Sequence, residues 1–276
     1  NEQLALSQLL LEGGIPCPRI VRSNGQALAT SHDEEVWILS EFVEGDYFAG
    51  TYSEFMAVAA AIGKMQKMLG TLNPKNLPRS ASLGSWDHTS KLLSEFLERK
   101  PEWSTLFPSK EYESMIREHE TIARTFYEVS SNLSHLHDHV VPTHVDLHPH
   151  NILIRSDNTP LFLDIDSLQV SNKIQSLAFA TYKLARQHVV SENLQDFPHE
   201  IARSTKAFAD VLASNAGFQS SAIASFPVAA NAEILRRISL IADLNMHHYN
   251  PEWNSVLPMH LSALHEVPLL FADFSN

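Results

Sequence analysis

The sequence predicts an α+β chain, with a small sheet-bearing lobe ahead of a larger, mainly helical one. Three observations carry this. The run Glu35 to Val43, rich in β-branched and aromatic residues, reads as a strand. Two short apolar runs, Ile152-Leu153-Ile154 and Leu161-Phe162-Leu163, flank the turn signal Ser156-Asp157-Asn158 and read as a β-hairpin. After Ser167, apolar residues recur at helical spacing through Lys173–His188, Pro198–Ala213, Val228–Met246 and Trp253–Leu264. Strands followed by a block of helices are the signature of an α+β arrangement.

The elements follow in order. Glu2 to Glu12 is leucine-rich, and Gly13-Gly14 stops it as a helix. Ile15-Pro16-Cys17-Pro18-Arg19-Ile20-Val21 is a proline-stiffened entry to a strand, followed by a turn at Ser23-Asn24-Gly25 and a weak strand. Thr51 to Leu69 reads as a helix with Ser53 as N-cap, and with Met65 and Met68 as packing residues. Gly70 to Ser90, punctuated by Asn73-Pro74, Leu77-Pro78 and Gly84-Ser85, reads as a loop. Lys91–Arg99 and Ser109–Asn132 are helical, the second with Tyr112, Met115, Ile116, Ile122 and Phe126 on a broken apolar stripe.

The chemistry concentrates in Thr143 to Ser167. Asp146 and Asn151 stand in D-x4-N spacing, and the second hairpin strand delivers Asp164 and then Asp166. An antiparallel hairpin carries Asn151 and Asp164 back to one end. This set fits phosphoryl transfer: Asp146 accepts the proton of an attacking hydroxyl, while Asn151 and Asp164 hold Mg2+ against nucleotide phosphates. Mg2+ takes hard oxygen ligands and leaves positions to water and phosphate, so one amide and one carboxylate suffice. Asp166, two residues on, is expected on the same strand face as Asp164, as a metal or acceptor ligand. His148 and His150 are expected near the site mouth.

This stretch resembles the aminoglycoside phosphotransferase and choline kinase-like family, whose loop commonly reads H-G-D-x-H-P-x-N, then an apolar strand and I-D-[FW]-[DE]. Here the positions are His144-Val145-Asp146-Leu147-His148-Pro149-His150-Asn151 and Leu163-Asp164-Ile165-Asp166; Val145 and His150 replace the usual glycines. The element Gly14-Ile15-Pro16-Cys17-Pro18 is also similar to that family. The resemblance implies a protein kinase-like two-lobe fold, with residues 1–45 as a remnant of the small nucleotide-binding lobe and hinge. Residues 46–276 would form the helical lobe with the catalytic loop and acceptor site. It implies ATP and Mg2+ as cofactors, a hinge at Glu41, Phe42 and Val43 whose backbone meets the adenine edge, and His144 as a structural residue fixing the loop. Kinases of this kind also need a phosphate-covering loop and a strand lysine. The first lysine here is Lys64, past the hinge, which reads as a chain whose first strands are missing; a kinase relative without its phosphate clamp is the alternative.

Composition bounds the partners. The 276 residues carry a net charge of −12, which argues against nucleic acid, since phosphate binding needs Lys and Arg clusters. The acidic balance is compatible with a cationic hydroxyl-bearing small molecule, for which Asp166, Asp243, Glu252, Tyr249 and Trp253 are candidate contacts. No apolar run is long enough for a membrane span, no secretory leader is visible, and the single cysteine, Cys17, fits a reducing cytoplasm. The family resemblance implies an acceptor of aminoglycoside, amino-alcohol, homoserine or sugar type. Two rivals remain: a metal-dependent hydrolase built on the histidine-rich segment His135, His137, His139, His144, His148 and His150, and a non-catalytic nucleotide-binding kinase relative.

Overall fold

The structure is a computed structural model that describes residues 1–276 except 1, 25, 28, 33–34, 73–85, 133–139, 248–250 and 275–276. Helix α1 (Glu2–Glu12) ends at Gly14, which adopts φ +75°. Strands β1 (Arg22–Ser23) and β2 (Gln26–Ala27) form one antiparallel pair and β3 (Ala29–His32) and β4 (Glu35–Ile38) another. The strand expected over Glu35 to Val43 therefore stops at Ile38. Beyond it, the chain makes an isolated bridge between Ser40 and Ile20, with the Glu41 N–H donating to the Arg19 carbonyl at 2.8 Å. Exposed positions at residues 37–42 explain the early stop, since apolar content without a covering layer does not extend a ladder.

Strand β5 (Asp46–Tyr47) leads into α2 (Tyr52–Leu69), whose N-cap is Thr51 and not Ser53. Thr51 Oγ1 accepts from the Glu54 N–H while the Glu54 carboxylate accepts from the Thr51 N–H, a reciprocal capping box. Ser53 instead accepts a hydrogen bond from Asn158 at 3.0 Å, tying the helix to the hairpin turn. The face with Phe55, Val58, Ile62, Met65 and Leu69 is buried. Gly63 permits close approach to the later helix α7: a Cβ there would lie 2.4 Å from the Leu212 carbonyl oxygen.

Helix α3 (Trp86–Glu98) begins four residues before the end of the loop expected over Gly70–Ser90. After it come the short α4 (Trp103–Leu106) and the long α5 (Ser109–Asn132). Trp103 stacks on Phe96 at 4.4 Å and donates its indole N–H to the Phe96 carbonyl, satisfying a buried donor. Strands β6 (Val140–His144), β7 (Ile152–Ile154), β8 (Pro160–Phe162) and β9 (Leu168–Asn172) complete the sheets. β7 and β8 form the expected hairpin, in register Ile152 to Phe162, with β5 on the other edge of β7, while β6 pairs with β9. Asn158 takes φ +63° in the turn, the left-handed conformation that Asn tolerates.

The helical block is α6 (Lys173–Ser191), α7 (Pro198–Ala216), α8 (Ser220–Ile223), α9 (Phe226–His247), α10 (Pro251–Asn254) and α11 (Leu257–Leu270). The single helix expected at Trp253–Leu264 is thus two, with Pro258 in the first turn of the second, where proline lacks only an N–H that needs no partner. Helix α9 is the hub. It packs against α3, α5, α6 and α11 and is buried along most of its length.

Candidate active site

The site is built where β6 and the β7–β8 hairpin converge. Helix α2 sets the position of β6: the Gln66 amide, buried, donates to the Pro142 carbonyl at 3.0 Å and accepts from Thr143 Oγ1 at 2.8 Å. His144 ends the strand. Its Nε2 donates to the Leu163 carbonyl at 3.3 Å and its Nδ1 accepts from the Asp146 N–H at 3.3 Å, so one imidazole clasps the loop before Asp146 to the end of the hairpin. Burial holds this ring neutral, with its pKa below the usual histidine range. Two backbone bonds close the frame, Val145 N–H to Ser167 and Leu163 N–H to the Asn151 carbonyl.

Within this frame Asp146, Asn151 and Asp164 come together. Asn151 Nδ2 donates to the Asp146 carbonyl at 2.9 Å and lies 3.5 Å from Asp164 Oδ2. The same Asp164 oxygen accepts from Ser167 Oγ at 2.5 Å. Asp164 sits at φ +52°, ψ +52°, a left-handed conformation rare for a side-chain-bearing residue, and opens a 3-10 turn over Ile165–Ser167. That reversal corrects the expectation that Asp164 and Asp166 share a strand face. β8 has ended at Phe162, and both carboxylates lie on the turn beyond it.

Asp164 and Asp166 line one wall of a cavity of about 390 Å3, with Ser7, Pro18, Ile20 and Ile38 opposite. A more open cleft of about 560 Å3, over Ser7, Arg19, Ile20 and Glu41, lies beside it and carries none of the motif residues. In the hinge segment the Glu41 N–H is taken by Arg19, Phe42 is 90% exposed and Val43 is half-buried.

Sequence reasoning missed the charges around Asp146. Its Oδ1 lies 3.1 Å from Arg237 Nη2 on α9 and 3.6 Å from Lys183 Nζ on α6, and its Oδ2 lies 3.6 Å from His148 Nε2. Burial alone would push the Asp146 carboxyl up, but Lys183 and Arg237 outweigh it and hold it below the ordinary carboxylate range. Burial and the neighbouring Arg237 push Lys183 down to about 8. His148 is held neutral by burial and Lys183, so its contact with Asp146 is not an ion pair at neutral pH. Behind them the buried Glu233 takes both Arg236 and Arg237, which fixes Arg237 against Asp146 and over the Phe179 ring at 4.4 Å. A signal was present: Glu233, Arg236 and Arg237 are i, i+3 and i+4 in a helix that is otherwise largely apolar.

Other expected participants fall elsewhere. Cys17 is buried, and burial pushes its thiol pKa up. His135, His137, His139, His248 and Tyr249 lie outside the described residues, as does any description of the His247 and Glu252 side chains. His188 is a packing residue, stacked on Phe55 at 4.3 Å with Nδ1 2.8 Å from the Gly50 carbonyl oxygen. Among the described residues no three His, Cys, Asp or Glu side chains group as a metal centre, so nothing there favours the hydrolase reading. No helix among them is long and apolar enough to cross a membrane.

A model of the phosphotransferase enzyme family matches residues 1–207. The chain belongs to that family. No curated protein sequence matches it. Among solved structures it is similar to an aminoglycoside phosphotransferase from Alicyclobacillus acidocaldarius, at TM-score 0.68 and 12% identity over 99% of this chain and 81% of that one. An AMP-bound spectinomycin phosphotransferase matches at TM-score 0.68 and 14% identity, over 99% and 84% of the two chains. A choline kinase from Cryptosporidium parvum matches at TM-score 0.54 and 12% identity, over 99% and 81%. These likenesses establish a protein kinase-like phosphotransferase fold, mostly helical with small antiparallel sheets.

Proposed function

We propose that the protein is a nucleotide-dependent small-molecule kinase that transfers a phosphoryl group to a hydroxyl. The convergence of Asp146, Asn151 and Asp164 carries the reading. Asp146 accepts the hydrogen bond of the attacking hydroxyl and takes its proton as the P–O bond forms. Its depressed pKa keeps it ionised at neutral pH, which suits a carboxylate that orients the nucleophile and receives the proton late. Asn151 and Asp164 are neighbours through Asn151 Nδ2, and their side-chain oxygens would supply the hard donors that Mg2+ accepts while keeping positions for phosphate oxygens and water. Bound there, the ion would neutralise charge developing on the phosphates.

The cavity of about 390 Å3 beside Asp164 takes the nucleotide, between the α1–Ile20 side and the hairpin. AMP in a structural relative supports an adenine nucleotide. Ser40 lines this cavity, and the hinge candidates Glu41, Phe42 and Val43 follow directly on it, at the base end of such a nucleotide, with the Glu41 N–H already given to Arg19. Residues 1–45 serve this nucleotide side, and 46–276 the acceptor side. His144 is a positioning residue, because it ties the Asp146 N–H to the Leu163 carbonyl at the end of the hairpin.

Replacing Asp164 tests the metal assignment. Calorimetric titration of Asp164→Ala should lose the Mg2+-dependent part of ATP affinity, roughly a tenfold or greater weakening. Unchanged Mg-ATP affinity in that variant would remove the assignment.

A further inference from the structure

The acceptor side of Asp146 has a charge character that the acidic composition does not foreshadow. A second cavity, of about 350 Å3, opens beside the catalytic loop and is lined by His148, His150, Tyr182, Lys183, Arg186 and Gln187, with Pro149 and Val190 completing it. No carboxylate lines it. Lys183 and His148 line this cavity and also contact the Asp146 carboxylate, each at 3.6 Å, so the cavity adjoins Asp146 across these two side chains.

Each charged group near the cavity has its partners. Lys183 and Arg237 share Asp146, Arg236 and Arg237 share Glu233, and Arg186 gives its Nε to Glu266 at 3.0 Å, with the Tyr182 hydroxyl donating to the same carboxylate at 2.7 Å. The cavity wall itself carries Lys183 and Arg186, whose carboxylate partners Asp146 and Glu266 do not line it; behind Asp146, Arg236 and Arg237 add two cations against the single Glu233. Arg186 is 46% exposed and keeps guanidinium donors beyond the one Glu266 takes. An ammonium group entering this cavity would meet Lys183 and Arg186 with no carboxylate on the wall. An oxyanion would meet two charge-assisted donors.

We propose that the acceptor is an oxyanion-bearing hydroxy compound, a hydroxycarboxylate or hydroxyalkyl phosphate, whose anionic group binds Lys183 and Arg186 while its hydroxyl faces Asp146. This rests on the kinase reading for the site as a whole, and it differs from the cationic acceptor with which the net charge is compatible. The γ-phosphoryl group of the nucleoside triphosphate passes to the acceptor oxygen as its bond to the β–γ bridging oxygen breaks, the hydroxyl proton passes to Asp146, and the nucleoside diphosphate leaves.

The test compares hydroxycarboxylates and hydroxyalkyl phosphates with their uncharged amides or esters, and with amino-alcohols and aminoglycosides. Phosphoryl transfer and thermal shift are both measured, with and without Mg-ATP. The anions should be preferred over their neutral counterparts. Arg186→Gln should raise KM for the anion about tenfold, leave KM for the neutral analogue in place, and retain the Mg-ATP thermal shift that reports a folded site. The charge-reversed Arg186→Glu should shift preference toward amino-alcohols. Equal use of neutral analogues, a preference for cationic acceptors, or absence of any anion-dependent thermal shift overturns the proposal, while leaving the kinase reading intact if Mg-ATP still binds. A thermal shift by anions that disappears in Arg186→Gln, without any response to Mg-ATP, supports the anion site and removes the kinase reading instead.

Discussion

Lys183 is the residue whose ionisation matters most to the site, because it is only 16% exposed and yet contacts Asp146. Its charge is opposed by burial and by Arg237 and supported by Asp146 and Glu233, and the balance leaves it titrating at about 8. The other groups facing it stay fixed near that pH. The Asp146 and Glu233 carboxyls lie below the usual range, Arg236 above its own, and the Tyr182 phenol is pushed up by burial and Glu266. Raising the pH through about 8 therefore neutralises the lysine and removes one cation from the acceptor side. Acceptor kcat/KM should fall with a midpoint near that value, and Lys183→Arg, which keeps its charge, should move the limb well to higher pH. A pH–rate profile unchanged by that substitution would assign the limb to another group.

At the scale of elements, two contacts hold the helices around the site. Glu233 on α9 is buried and pairs with Arg236 and Arg237, with Gln175 of α6 donating at 3.2 Å. Removing it strands the Arg236 guanidinium and leaves Arg237 with Asp146 alone, so Glu233→Ala should cost about 3–5 kcal/mol in denaturant unfolding. A loss below about 1 kcal/mol would show the arginines to be well solvated. Gly63 lets α2 approach α7, and an added Cβ would meet Asn215 Cβ at 2.6 Å as well as the Leu212 carbonyl. Gly63→Ala should destabilise by about 1–3 kcal/mol although alanine is the better helix former, because helix backbones cannot yield as a side-chain tip can.

The sequence exposed these elements unevenly. The D-x4-N loop and hairpin were legible because both are local: a few residues fix the turn, and β7 and β8 pair at once. Lys183 and Arg237 were not, because they reach Asp146 from helices far along the chain, and Arg237 lies 91 positions away. Element ends were also poorly marked. Ser53 and Thr51 are equally good caps by residue type, and only the Glu54 carboxylate closing on Thr51 chooses between them. The strand after Glu35 reads as continuous to Val43, yet past Ile38 it keeps only the single bridge between Ser40 and Ile20 among the described residues.

For the whole molecule, the helical lobe is one continuous apolar core from Phe55 to Phe274, within which the charged cluster behind Asp146 is embedded. That embedding makes stability depend on acid. Burial, with Arg237 and Lys183 nearby, pushes His260 down to about 3, so the folded chain resists a proton that the unfolded chain accepts near 6.5. The unfolded state then binds more protons between about 6.5 and 3, and stability is lost as pH falls through that window. Asp146, held low in the folded state, acts in the same direction at the acid end. His260→Gln should flatten the decline of Tm between pH 6.5 and 4, and an unchanged slope would place the acid sensitivity elsewhere.

The proposed transfer requires one carboxylate facing an alcohol across from an amide and acid that hold a divalent ion. Single-turnover transfer of labelled γ-phosphate, wild type against Asp146→Asn, tests it most directly. Transfer to the acceptor should slow by about 10²–10⁴-fold while Mg-ATP binding stays within a few-fold of wild type. Transfer at the wild-type rate, or Mg-ATP binding lost together with transfer, would contradict it.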